Sequence, residues 1–310
     1  MKILVTGGAG FIGSHLTRAL LAKGHAVAVL DNLHTGLREN VPLGAAFAEM
    51  DVRDERLGAW LSAEKFDAVV HLAGQTMVNV SVDEPYYDAD VNVLGTVNLL
   101  EGCRKSGVRR VVFASTAAVY GDVGQLPVLE SQPVGPLSFY GLSKHTVERY
   151  LALYQALYGL EYVALRFANV YGERQGDGGE GGVISIFAKR VARGEAIVVH
   201  GDGGQTRDFV YAGDVAEGIC CALETKAVNC VYHLSTQTEV SVNALVALLR
   251  ELAGGEIEVS HGPARPGDIY RSMLSNARAA EGLGWRPVVP LEEGLARTFA
   301  YFAKTREARG

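Results

Sequence analysis

Residues 2–16 read KILVTGGAGFIGSHL, a short apolar run, Ile3-Leu4-Val5, leading into glycines at 7, 10 and 13 and then into an amphipathic stretch. An unbroken apolar run of this length fits a parallel strand covered on both faces, and the glycine-rich turn that follows opens a helix. In that setting Gly7 permits a tight turn, Gly10 lets a pyrophosphate approach the helix amino terminus, and Gly13 lets helix and strand pack closely. The spacing is GxxGxxG rather than GxGxxG, so taken alone it would also suit a purely structural turn.

Moving outward, KILVT (2–6), AVAVL (26–30), DAVVHLA (67–73), RVVFAS (110–115) and YVALRF (162–167) repeat the apolar-run pattern, with helix-like segments at 11–23, 54–64, 85–106 and 141–158 between them. Strand and helix in alternation predict an α/β fold built on a doubly wound parallel, Rossmann-type sheet. After about residue 167 the rhythm changes. The loop GDGGEGG (176–182), a helix near 183–193, the strand IVVH (197–200) and helices around 242–253 and 276–283 predict a smaller mixed region. The division expected is a nucleotide-binding unit over 1–167 and a substrate-binding region over 168–310, partly interleaved with the first.

The chain has 310 residues, 48% hydrophobic and 21% charged, and 37 glycines. These values describe a globular chain with many tight turns. A formal charge of −6 argues against nucleic acid or an anionic membrane as partner, because phosphate surfaces demand a basic face. Cys103, Cys220, Cys221 and Cys230 have neither CxxC nor metal-like spacing, which predicts free thiols, no metal and a reducing compartment. No run reaches the roughly 18 apolar residues of a membrane span, so a soluble, cytoplasmic protein is expected.

Leu30-Asp31-Asn32 closes the second apolar run about 20 residues beyond the glycines. A carboxylate there accepts from both ribose hydroxyls of an adenosine and repels a 2′-phosphate, which favours NAD over NADP. Asp51 and Val52 are placed to flank the adenine, unless they form a simple turn. His71, inside an apolar strand, reads as a core histidine; Tyr120 and Tyr171 read as packing aromatics.

The stretch YGLSK (140–144) sets Tyr140 and Lys144 one helical turn apart, on one face. A phenol of ordinary pKa about 10 is a poor base at neutral pH, but a neighbouring ammonium favours its phenolate. Taken in order, TGGAGFIG, DNL, HLAG, FASTAAVYG, YGLSK, RFANVYG and RDFVYAGDVA resemble the extended short-chain dehydrogenase/reductase family over nearly the whole chain, and within it the nucleotide-sugar 4-epimerases. The resemblance implies Tyr140 as general base, Lys144 on the nicotinamide ribose, and Thr116 as the hydroxyl bonded to the sugar 4-oxygen, with Ser115 the alternative. It further implies NAD contacts from Gly7, Gly10, Phe11, Ile12, Gly13, Asp31, Asn32, Asp51, Val52, Leu72, Ala73, Gly74, Asn92, Ser115 and Phe167. A UDP-sugar would be held by Asn169, Val183, His200, Arg207, Arg265, Asp268 and Ser272, with the two arginines clamping the diphosphate and Ser272 beside the C2 substituent of the sugar.

Related dehydratases resemble TDEVYG and UDP-glucuronate decarboxylases resemble TSEVYG at the end of this strand, each with an acid for a later step. Here the stretch is Thr116-Ala117-Ala118-Val119-Tyr120. Without an acid at 117 or 118, the expected chemistry is oxidation at C4 and its reversal: epimerisation of UDP-glucose and UDP-galactose, extending to the N-acetylhexosamine pair. UDP-glucuronate 4-epimerisation, another modification of nucleotide sugars, and a catalytically silent NAD-sensing protein are the alternatives. The resemblance also implies a homodimer paired through helices 85–106 and 141–158.

Overall fold

A computed structural model of the chain describes residues 1–176, 182–264 and 269–307. Seven strands form one parallel sheet: β1 (Lys2–Thr6), β2 (Ala26–Asp31), β3 (Ala46–Glu49), β4 (Ala68–His71), β5 (Arg110–Thr116), β6 (Glu161–Phe167) and, from much later in the chain, β11 (Cys230–Leu234). Their order is β11-β6-β5-β4-β1-β2-β3. Every neighbouring pair is parallel, which requires crossovers rather than hairpins. The direction of winding reverses between β1 and β4, and the carboxyl ends of the strands there open the crevice in which such sheets bind ligands.

Helices cover both faces. Against one lie α1 (Phe11–Ala22) and α8 (Ala212–Glu224). Against the other lie α2 (Leu57–Glu64), α5 (Gly95–Ser106) and α6 (Phe139–Tyr158). Ser138 caps α6 by accepting the amide of Gly141 at 3.1 Å, and Gly159, at φ +73°, ends it in the left-handed conformation. The helix expected over 54–64 begins only at Leu57, because Asp54 holds the preceding turn by accepting the amide of Arg56 at 2.8 Å.

The helix expected over 85–106 is present without a gap, but its hydrogen bonding changes along its length. It runs as α4 (Pro85–Ala89), a wide π-type turn over Asp90–Leu94 and then α5, and a further short helix, α3 (Val78–Asp83), precedes it. The wide turn directs Asn92 into the protein, and such turns often accompany functional sites.

Beyond β6 the chain builds small patches: β7 (Asn169–Tyr171) pairs with β10 (Phe209–Tyr211), β9 (Thr206–Arg207) with β12 (Val240–Ser241), and β8 (Ile197–His200) with β13 (Val259–Gly262). Helices α7 (Val183–Ala192), α9 (Val242–Ala253) and α11 (Leu291–Glu307) pack around these strands in a core of their own, while α10 (Ala277–Gly282) and Trp285 join the core of the main sheet. Leu245 and Leu249 of α9 are fully buried, and truncating either to alanine would cost about 2–5 kcal/mol.

Candidate active site

The glycine turn between β1 and α1 is filled to its limits. Gly7 stands at φ +69°, where a Cβ would lie 2.7 Å from the amide nitrogen of Ala73, and a Cβ on Gly13 would lie 2.2 Å from the carbonyl oxygen of Gly7. Only glycine permits this approach. Gly10 begins α1 with no side-chain cap, so the first amides of the helix face the adjoining cavity, an arrangement suited to a pyrophosphate.

At the end of β2 the Asp31 carboxylate accepts the amides of Ala9 at 2.9 Å and Leu33 at 2.8 Å. Burial pushes its pKa up and those two bonds oppose the shift. Asp51 accepts from Nε of Arg53 at 2.8 Å and from Asn32 at 2.7 Å, and the Arg53 guanidinium holds its carboxyl well below the usual range. Asp31, Asn32, Asp51, Val52, Leu72, Ala73 and Gly74 line a crevice of about 160 Å³. It meets a larger cavity of about 860 Å³, and Gly7, Gly10, Leu72, Thr76 and Met77 line both. A cradle that a Cβ would fill, joined to a crevice edged by a ribose-competent carboxylate, fits a bound NAD.

The larger cavity brings together Phe11, Ile12, Gly13, Ser115, Thr116, Tyr140, Lys144 and Phe167. Tyr140 and Lys144 rise from the first two turns of α6. Lys144 is only 3% exposed, and its ammonium lies 5.0 Å from the ring centre of Phe113 and 5.9 Å from that of Tyr140. The glycine after Tyr140 makes this possible, since a Cβ on Gly141 would sit 2.6 Å from the carbonyl oxygen of Ala118. Helix α6 therefore reaches the residues just beyond β5 at a distance no other side chain permits. Thr116 ends β5, and its Oγ1 accepts the amide of Ala118 at 3.1 Å. The Ser115 hydroxyl instead donates to Glu148 at 2.5 Å.

On the opposite wall lie Asn169, Val183, His200 and Arg207. The Arg207 guanidinium donates to the carbonyl of Thr206 at 2.8 Å and Nδ1–H of His200 to that of Pro263 at 3.2 Å. Arg265 and Asp268 lie outside the described residues. Two expected residues are not on the wall. Asn92 is buried and acts from behind it: its amide accepts from the Gln75 amide at 2.8 Å and donates to the Gln75 carbonyl at 2.9 Å and to Ser143 at 3.2 Å. Ser272 is half-buried and does not line the cavity. Conversely Met77, Ile186, Arg190 and Gln205 line it without having been singled out. Ile186 and Arg190 follow Val183 at helical spacing, a signal that the single residue Val183 already carried.

His71 is fully buried between Thr6 at 2.7 Å and Thr96 at 2.9 Å. Because Thr96 donates its own proton to the Asn92 carbonyl at 2.5 Å, the His71 Nε2 carries the hydrogen and Nδ1 accepts from Thr6. Burial lowers its pKa to about 3. Among the described residues no group of three or more His, Cys, Asp and Glu side chains could hold a metal ion, and no helix is long and apolar enough to cross a membrane.

The family model for the NAD dependent epimerase/dehydratase family matches residues 3–234. The chain is 41% identical over 308 residues to a UDP-glucose 4-epimerase of Mycolicibacterium smegmatis, covering 97% of this chain and 98% of that protein. Among solved structures, UDP-glucose 4-epimerase of Thermotoga maritima with UDP-glucose superposes with a TM-score of 0.96 at 43% identity, covering 99% of this chain and 100% of that one. The UDP-glucose 4-epimerase of Thermus thermophilus in complex with NAD superposes with a TM-score of 0.92 at 45% identity, covering 97% and 99%.

Proposed function

This chain belongs to the NAD dependent epimerase/dehydratase family, and from that premise we propose that it inverts C4 of a UDP-hexose, interconverting UDP-glucose and UDP-galactose through a transient 4-keto sugar. The observation that carries the reading is the meeting of Thr116, Tyr140 and Lys144 on the wall that adjoins the glycine cradle, with alanines at 117 and 118 where an acid would be needed for elimination or decarboxylation. NAD, when bound, supplies the acceptor and donor of the hydride at C4 of the sugar. Tyr140 takes the proton of the 4-hydroxyl and returns it, its phenolate favoured by the Lys144 ammonium. Thr116 holds the 4-oxygen. Arg207 grips the diphosphate while the keto sugar turns, guanidinium being suited to phosphate oxygens.

We assign NAD chiefly to residues 1–167 and the UDP-sugar chiefly to 168–310, with Asn169, Val183, His200, Arg207, Arg265, Asp268 and Ser272 as its contacts and the N-acetylhexosamine pair as additional substrates. Leu94, Leu153 and Leu157 are 59%, 57% and 68% exposed on the faces of the 85–106 and 139–158 segments, which supports a homodimer joined there. Four free cysteines favour the reducing cytoplasm. The test is to incubate the purified protein with UDP-glucose and follow the sugar by NMR. UDP-galactose of equal mass is expected; a product lighter by water or carbon dioxide, or none at all, would overturn the reading.

A further inference from the structure

Tyr140 and Lys144 share their helical face with a third polar residue, Glu148, one more turn along α6. It does not line the cavity, yet it is 6% exposed and has three polar partners. The Ser115 hydroxyl donates to it at 2.5 Å, Arg166 donates from Nε at 2.9 Å and from a terminal nitrogen at 2.6 Å, and His145 Nδ1 stands 3.4 Å away. Two of these partners immediately precede residues of the active site. Ser115 comes before Thr116 at the end of β5, and Arg166 comes before Phe167 at the end of β6; Thr116 and Phe167 both line the cavity.

The contact is anchored further in. Another Arg166 nitrogen donates to Tyr120 Oη. Tyr120 in turn bonds Nε2 of His233 at 2.6 Å, and Nδ1–H of His233 donates to the carbonyl of Ser275 at 3.0 Å. Arg166, Tyr120, His233, Ser115 and Glu148 are all buried. The carboxylate thus ties the catalytic helix to the ends of two strands and, through Arg166, Tyr120 and His233, to the segment around Ser275 in a buried interior, where a bidentate guanidinium pair fixes geometry firmly.

We infer that Glu148 is a positioning residue for the epimerisation: by bonding Ser115 and Arg166 at once it sets the separation between Tyr140 and Lys144 on α6 and Thr116 at the end of β5. This rests on the function proposed above. A displacement of the order of 1 Å among such groups is enough to slow a reaction about 100-fold, and the Glu148 carboxylate bonds residues at both strand ends.

Two variants test it. Glu148→Asp keeps the charge but withdraws the carboxylate by one methylene, and Glu148→Gln keeps the length but loses the charge. With rates expressed per folded, NAD-loaded molecule, both are expected to lower kcat about 10- to 100-fold while KM for UDP-glucose changes less than about threefold. Combined with Ser115→Ala, the effect of Glu148→Asp is expected to be strongly non-additive, the double variant being no slower than the slower single one. Amide hydrogen exchange, which needs no turnover, is expected to rise at 113–118 and 140–148 in Glu148→Asp and to stay unchanged over Val242–Ala253. If both variants keep kcat within about twofold of wild type, if the effects of Ser115→Ala and Glu148→Asp simply add, or if exchange is unaltered, the inference falls. A wild type that forms no UDP-galactose would defeat the functional reading instead, and the exchange result alone would then decide whether Glu148 holds these elements together.

Discussion

The two walls of the cavity are made in different ways. On one side the groups stand at the carboxyl ends of strands in a single seven-stranded sheet, each tied from behind: Asp31 by the amides of Ala9 and Leu33, Ser115 by Glu148, the Gly74–Gln75 turn by Asn92. On the other side Val183, His200 and Arg207 sit on a helix and on patches of two strands each. The sheet cannot shift one strand without moving its neighbours, whereas a two-stranded patch is marginal unless something packs on it. On the function proposed above, chemistry, which tolerates little displacement, would fall to the first wall, and substrate recognition to the second.

The strongest way to break that division is Tyr140→Phe. Loss of a general base is expected to reduce kcat at least about 100-fold with the amount of bound NAD unchanged, measured by NMR turnover and by absorbance of the released cofactor. A variant that keeps its rate would remove Tyr140 from the chemistry. On the facing wall, Arg207→Met is expected to raise KM for UDP-glucose about 10- to 100-fold, the value of a charged hydrogen-bonded contact, with kcat much less affected. A loss confined to kcat would place Arg207 on the chemical side.

Acid sharpens the comparison through stability. Burial lowers both His71 on β4 and His233 on β11 from 6.5 to about 3. Between those values the unfolded chain holds protons that the folded one does not, so stability is complete above pH 6.5 and is lost as the pH falls. At pH 5 His71 alone contributes about 2 kcal/mol of that loss. Thermal unfolding at constant ionic strength is expected to show a shallower decline from pH 7 to 5 in His71→Gln than in wild type. Taking the difference between the two proteins cancels buried carboxyls such as Asp31 and Asp208, which are shifted upward and act in the opposite sense. Equal slopes would show that His71 titrates normally. The smallest expected effect is Ser272→Tyr, lowering turnover of UDP-N-acetylglucosamine relative to UDP-glucose by about tenfold; an unchanged ratio would remove Ser272 from the substrate set.

What could be read from the chain follows the same line. Five of the seven strands are apolar runs bounded by turns, so those strands were legible, and the glycine cradle and Asp31 follow directly from the first two of them; Tyr140 and Lys144 stand out only by their four-residue spacing and the motifs around them. The facing side was legible only in part: the helix near 183–193, the strand 197–200 and the helix around 242–253 correspond to α7, β8 and α9, but β9 and β12 have two residues each, too few for any periodicity to register. Strand β11 escaped notice for another reason: CVYHL is recognisable as a strand only beside β6, whose residues precede it by 67 positions at Val163↔Cys230. Helix α11, seventeen residues long, was missed because its apolar side faces a core that only the patches create. Glu148 was invisible because an acid two turns beyond a tyrosine reads as a solvated helix face until Arg166 is seen opposite it.

The late arrival of β11 has a consequence for how the protein is made. When residues 1–167 have left the ribosome, β6 still has an open edge with unpaired amides and carbonyls, and its partner lies more than sixty residues downstream. Parallel pairing over such a separation forms slowly, and an exposed edge of apolar sequence is prone to pair with another chain. A nascent chain halted before Leu234, or a gene cut at the boundary between the two regions, is therefore expected to aggregate rather than yield an independent NAD-binding fragment, and the cell must shield that edge until translation has passed it.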